Sequence, residues 1–228
     1  MLTLAERSRL LLSPTLFPRA SRVVRNLPYP AAVLDIPDDQ YVLRMLVMSP
    51  ESGGLRMPPE LQWLRSTLEL CTYMQSEIGV RHPYIYVTVR SGIVRSVADD
   101  EWHVDGFSMR VPHVPEQNYV WADSFPTEVL DQQFVIPDDF DPLKHNIHQF
   151  FQDRADESRV RVLAPQHLHL IDPYIVHRRP AVVVGTRRTF FRISFVPIQI
   201  EDDTNTANPL LPVPVFGRTD VRKTLSRY

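Results

Sequence analysis

The chain has 228 residues, 43% of them apolar, 23% charged and 10% aromatic, enough for one large domain with its own core and too apolar for a disordered chain. Twenty-five basic against 27 acidic residues leave a net charge of −2, so no global electrostatic footprint marks a nucleic-acid or anionic-membrane binder. One cysteine, Cys71, excludes an internal disulfide framework and a cysteine-rich zinc site.

No apolar run approaches the roughly 18–20 residues of a membrane span, so no membrane partner is expected. The opening Met-Leu-Thr-Leu-Ala-Glu-Arg lacks the basic and apolar regions of a secretion signal, and a cytoplasmic location is expected. Seven glycines against 21 prolines punctuate the chain into short segments.

In chain order, residues 3–12 are a short helix candidate. Ala31–Ile36 and Tyr41–Met48 read as strands around a Pro37-Asp38-Asp39 turn. Pro58 to Gly79 is the strongest helix. Pro58-Pro59 opens it, Leu61, Leu64, Leu68 and Cys71 recur at three- or four-residue spacing, and Gly79 stands where a C-terminal cap belongs. Beyond it the rhythm becomes β. Strands are expected at Tyr84–Arg90, Ile93–Val97, Asn118–Ala122, Phe134–Ile136, Val160–Leu163, His167–Ile171, Ala181–Val184 and Thr189–Val196, with a short helix around Lys144–Asp153.

Many short strands with turn residues between them predict a mainly β sandwich or barrel with flanking helices. The expected division of one single domain, 1–228, is N-terminal packing elements over 1–80, a β core over 81–200 and a C-terminal tail over 201–228. The tail's Arg218, Arg222, Lys223 and Arg227 read as a solvated cluster, with phosphate binding as the alternative.

Three patterns carry chemistry. In Trp102-His103-Val104-Asp105-Gly106 the imidazole and carboxylate stand two apart, so an extended chain projects both to one side. His177, in Asp172-Pro173-Tyr174-Ile175-Val176-His177-Arg178, completes two histidines and one carboxylate, the facial donor set of non-haem Fe(II) oxygenases. In Arg187-Arg188-Thr189-Phe190-Phe191-Arg192-Ile193-Ser194-Phe195, alternation puts Arg188, Phe190, Arg192 and Ser194 on one face. Two arginines and a serine are costly to bury unless an anion waits there, and a guanidinium fork suits a carboxylate.

His103-x-Asp105, His177, and arginines eleven and fifteen residues later resemble the Fe(II)/2-oxoglutarate-dependent dioxygenases, in the taurine dioxygenase and phytanoyl-CoA hydroxylase branches. The resemblance covers Tyr84 to Val196, about half of the chain. It implies a double-stranded β-helix (a jelly roll of cupin-like type) holding Fe(II) through His103, Asp105 and His177. It also implies a reaction in which O2 and 2-oxoglutarate give succinate and a hydroxylated substrate. The cosubstrate's C1 carboxylate and keto oxygen chelate the iron in this family, and its C5 carboxylate pairs with an arginine, Arg188 by offset. Arg192, in an Arg-x-Ser pair with Ser194, is the rival, and Thr127 matches a threonine that hydrogen-bonds the cosubstrate. Where many relatives carry Gly-Asp before the distal histidine's strand, this chain has Ala164-Pro165-Gln166. The carboxylate of Asp105 argues against halogenating relatives, which replace it with Gly or Ala.

Other residues have roles of their own to weigh. Arg110 and His113 follow the His-x-Asp pattern and are candidate substrate contacts. His167-x-His169 offers a same-face pair for a cupin-type metalloenzyme without 2-oxoglutarate. His145 and His148 read as surface or lid, and Tyr119 and Trp121 as facing a barrel interior. A small molecule such as an amino acid or other metabolite is the expected substrate, with a nucleic acid or a protein side chain as alternatives. A non-enzymatic β-barrel binding protein is the alternative from another class, and oligomeric state is unreadable.

Overall fold

The computed structural model describes residues 39–79, 81–94, 101–106, 116–137, 139–140, 144–182, 184–200 and 204–211, the single residues 36 and 202, and the backbone of 25–28. The expected helix at 3–12, most of the expected strand at 31–36, the basic C-terminal cluster, Arg110 and His113 lie outside the described residues.

The fold is mainly β, built of two antiparallel sheets with few helices. In chain order the strands are β1 (Arg25–Pro28), β2 (Tyr41–Met48), β3 (Tyr84–Ile93), β4 (Gln117–Ala122), β5 (Glu128–Leu130), β6 (Val160–Val162), β7 (His167–Ile171), β8 (His177–Arg178) and β9 (Arg187–Val196). The helices are α1 (Arg65–Glu77), entered through a 3-10 turn at Pro59–Leu64, and α2 (Ile147–Arg154). The larger sheet has the order β1-β7-β4-β9-β3-β2 and the smaller β6-β5-β8. No helix among the described residues is long and apolar enough to cross a membrane.

The larger sheet is centred on β9, which pairs with β3 from Tyr84↔Val196 to Ile93↔Arg187 and with β4 on its other edge. Its period-two pattern separates two faces. Val87 and Val89 of β3, Tyr119 and Trp121 of β4, and Phe191, Ile193 and Phe195 of β9 share one face. That face buries against Leu61, Leu64, Leu68 and Cys71. This is why Pro59–Glu77 is helical: the apolar stripe has a sheet to cover. Trp121 stacks on Phe191 with centroids 5.3 Å apart, and Trp63 meets the same ring edge-on at 6.0 Å. Gly79 follows α1 with φ +73, the left-handed conformation that ends helices.

Tyr119 and Trp121 therefore face the helix, not an interior cavity between the sheets. Alternation placed them together, but β4 is buried on both sides, so polarity gave no cue to which side was which. Phe134–Ile136 forms no strand. Phe134 and Ile136 pack into a second core with Trp102, Phe150 and Phe151 while Val135 stays exposed, so the alternation is real, but no strand among the described residues pairs with it. The described part of Ala181–Val184 is likewise irregular. In the Ala164-Pro165-Gln166 segment, Gln166 takes the left-handed conformation (φ 57) and donates its backbone N–H to Ala122 O at 2.7 Å.

Candidate metal centre

The polar face of the larger sheet floors a cavity of about 650 Å³, within the size range of small-molecule sites. Thr88 and Arg90 of β3, Val120 of β4 and Arg188, Phe190 and Arg192 of β9 line it from that sheet. His177 and Arg178 of β8, Thr127 just before β5, His148 of α2 and the 101–105 segment line it from elsewhere.

His103 and His177 are brought together by an isolated antiparallel bridge. Each donates its backbone N–H to the other's carbonyl at 2.9 Å, and the ring centroids stand 4.5 Å apart. The chain then turns at Asp105-Gly106, with Gly106 at φ +76, returning the Asp105 carboxylate towards the histidines. One donor atom from each of His103, Asp105 and His177 lies within 4.8 Å of the others.

The ring nitrogens are sorted by the backbone. His103 Nδ1 is 2.8 Å from Glu101 O, and His177 Nδ1 is 2.8 Å from Ile175 O. A carbonyl accepts only, so each Nδ1 carries the hydrogen and each Nε2 is the available donor atom, the arrangement that fixes metal-ligating imidazoles. Asp105 Oδ2 lies 3.3 Å from His177 Nε2 and accepts from Asn118 Nδ2 at 2.7 Å, while Oδ1 accepts from Arg192 Nη1 at 2.9 Å.

Electrostatics suit the same role. Burial, reinforced by neighbouring His177, lowers the His103 pKa to about 4, leaving a neutral imidazole at pH 7. Burial alone would raise Asp105, but Arg192 and the two imidazoles outweigh it and hold the carboxyl well below its usual range. Burial would lower His177, yet the Asp105 carboxylate prevails and raises it. A carboxylate, a neutral imidazole and a second imidazole beside that carboxylate form a donor set that could hold a divalent metal ion.

Arg188, 3% exposed, donates Nε–H to Ser124 O at 3.2 Å and Phe125 O at 3.0 Å, and its guanidinium lies 5.1 Å from the Phe190 ring centroid. Thr127 is buried on the cavity wall. Ser194 is also buried, between Tyr86 and Asn118 in register, beyond the cavity wall. His167 Nδ1 and His169 Nε2 face the carbonyls of Pro165 and Ala164 at 2.7 and 2.8 Å, and neither ring belongs to the donor cluster.

Two further wall residues, His148 and Arg178, were not among the site residues expected from the sequence. His148, expected at the surface or on a lid, has its ring centroid 6.0 Å from that of His103. Arg178 follows His177 and lies across the bridge from Trp102, with its guanidinium 4.1 Å over the indole. It also donates to Glu128 at 2.7 Å and to both oxygens of Glu157 at 2.9 Å, while Trp102 Nε1 donates to Glu157 at 3.1 Å. The available signal was that Trp102 and Arg178 each neighbour a candidate ligand.

No protein-family model matches the chain, and no curated protein matches it. Among solved structures it is similar to EvdO2 from Micromonospora carbonacea var. aurantiaca, at 14% identity over 70% of each chain with a TM-score of 0.38. It is similar also to AviO1 from Streptomyces viridochromogenes Tue57, at 16% identity over 90% of this chain and 84% of that one, with a TM-score of 0.39. Likeness this distant leaves function to be argued from the site.

Proposed function

We propose that the protein is an Fe(II)- and 2-oxoglutarate-dependent oxygenase that hydroxylates a small molecule on a double-stranded β-helix scaffold. The observation that carries this is the convergence of His103, Asp105 and His177 within 4.8 Å in a cavity also lined by Arg188. Three donors in facial array leave coordination positions for a chelating cosubstrate and for O2. When bound, Fe(II) and 2-oxoglutarate supply the oxidising chemistry, with succinate and CO2 as the cosubstrate's products.

The chain's own residues bind and orient. His103, Asp105 and His177 hold the ion. Arg188 receives the cosubstrate's distal carboxylate, its guanidinium steadied by two backbone carbonyls and the Phe190 ring, and Thr127 lies on the same wall.

The test is anaerobic titration of Fe(II)-loaded protein with 2-oxoglutarate, following the weak visible metal-to-ligand charge-transfer band. A saturable band is expected, lost in His177→Ala. Arg188→Gln should raise the half-saturating 2-oxoglutarate concentration tenfold or more with Fe(II) affinity retained. Folded, iron-loaded protein without a band would point instead to a cupin-type metalloenzyme that uses no 2-oxoglutarate. Failure to bind iron would leave a β-barrel binding protein.

A further inference from the structure

The two oxygens of Asp105 have different surroundings. Oδ2 is on the histidine side, 3.3 Å from His177 Nε2, and also accepts from Asn118. Oδ1 is turned the other way, onto Arg192 Nη1 at 2.9 Å. Arg192 is set in the middle of the larger sheet, in register with Thr88 on β3 and Val120 on β4, so its backbone has little freedom to carry the guanidinium elsewhere.

This division matters for an ion held by three protein groups. A carboxylate that ligates through one oxygen leaves three positions of an octahedral ion open; one that chelates with both oxygens closes a further position. We infer that Arg192 is a positioning residue for the metal carboxylate: by engaging Oδ1 it presents Asp105 to the ion through Oδ2 alone. The inference rests on the metal reading above and separates two arginines that the sequence left as rivals. Arg188 serves the cosubstrate, whereas Arg192 serves the ligand set. Their Cα atoms stand about 13 Å apart, four residues at about 3.3 Å each.

The rival role has a donor through which to act, because Arg192 Nε is buried without a hydrogen-bond partner among the described residues. Two titrations decide between the roles. Co(II) binding is followed by d–d absorption in the wild type, Arg192→Gln and Arg192→Lys. The same proteins, saturated with Fe(II) under anaerobic conditions, are then titrated with 2-oxoglutarate. Loss of positioning should weaken Co(II) binding about tenfold or more in both variants and shift the d–d envelope. Half-saturating 2-oxoglutarate should change less than threefold.

Arg192→Lys keeps charge and reach but not the planar fork, and it decides the matter should Arg192→Gln not fold. If Arg192 acted by charge alone, Arg192→Gln would tighten Co(II) binding by removing a cation beside a dication, and that result would overturn the inference. Unchanged Co(II) affinity with a tenfold loss of 2-oxoglutarate affinity would also overturn it and make Arg192 the cosubstrate anchor. Wild-type protein that binds neither metal would sink the metal reading itself, an outcome distinct from failure in the variants alone.

Discussion

Replacing Arg178 tests whether the bridge that pairs His103 with His177 is braced from outside. Its three contacts differ in shielding. The Arg178 and Glu128 side chains are 21% and 18% exposed, while Glu157 is 59% exposed. The Glu128 pair should contribute about 1–1.5 kcal/mol as a charge-assisted bond in a largely shielded place. The Glu157 fork should contribute about 0.5 kcal/mol, because an exposed partner is screened, and the stack on Trp102 about 0.5–1 kcal/mol. Arg178→Ala should therefore cost about 2–3 kcal/mol, or about 4–12 °C in Tm for a chain of this size. Urea denaturation of the metal-free protein followed by tryptophan fluorescence reads the loss. Double-mutant cycles with Glu128→Gln and Glu157→Gln apportion it. A total below about 0.5 kcal/mol, or stronger coupling to Glu157 than to Glu128, would refute the burial-weighted reasoning.

Two further outcomes are expected. Phe191→Ala removes a fully buried ring that touches both Trp121 and Trp63 and should cost about 3–5 kcal/mol in urea denaturation; a cost under about 1 kcal/mol would mean that the helix-facing core collapses around the gap. Burial lowers the His169 pKa from 6.5 despite its bond to Ala164 O. As pH falls below 6.5, the unfolded chain takes up a proton that the folded chain excludes until the lowered pKa is reached. Stability should decline over that window, and His169→Gln should make the decline shallower in denaturation series at stepped pH. Identical slopes would show that the ring titrates alike in both states.

How much of this was legible follows from how far each feature depends on the rest of the chain. β2, β3, β7 and β9 were readable because alternation or β-branched and aromatic content is written locally, and β2 and β7 have the bounds expected of them. β8 has two residues, and it exists because β5 and His103 pair with it; no local pattern specifies so short a strand. The three donors were readable as residue types at suggestive spacing, and their convergence required the bridge and the Asp105-Gly106 turn. Arg192 was readable as a cation on the same face as Arg188, but its partner was not, because Asp105 arrives from a loop distant in sequence. His148 looked like solvent-facing polarity on a short helix, yet Ile147, Phe150 and Phe151 bury one side of α2, and docking that side brings His148 to the cavity wall.

The larger sheet divides its labour between its faces. The helix-facing side is apolar, so area removed from water stabilises it directly. The cavity-facing side carries Arg192 opposite Asp105, and nearby Arg44 donates to both oxygens of Glu116 at 2.5 and 2.8 Å. Each of these pairs balances one cation against one carboxylate, so neither leaves a bare charge in a shielded place. Pairs of this kind about break even against well-packed apolar side chains, because desolvation offsets the attraction. Stability alone gives little reason to keep two of them where leucines would serve. Their residues have one feature that leucines could not supply: both arginines act electrostatically on Asp105, Arg192 through a hydrogen bond and Arg44 at longer range. The apolar face therefore carries the stability of the sheet, and the polar face holds one carboxylate, Asp105, ionised beside its cations.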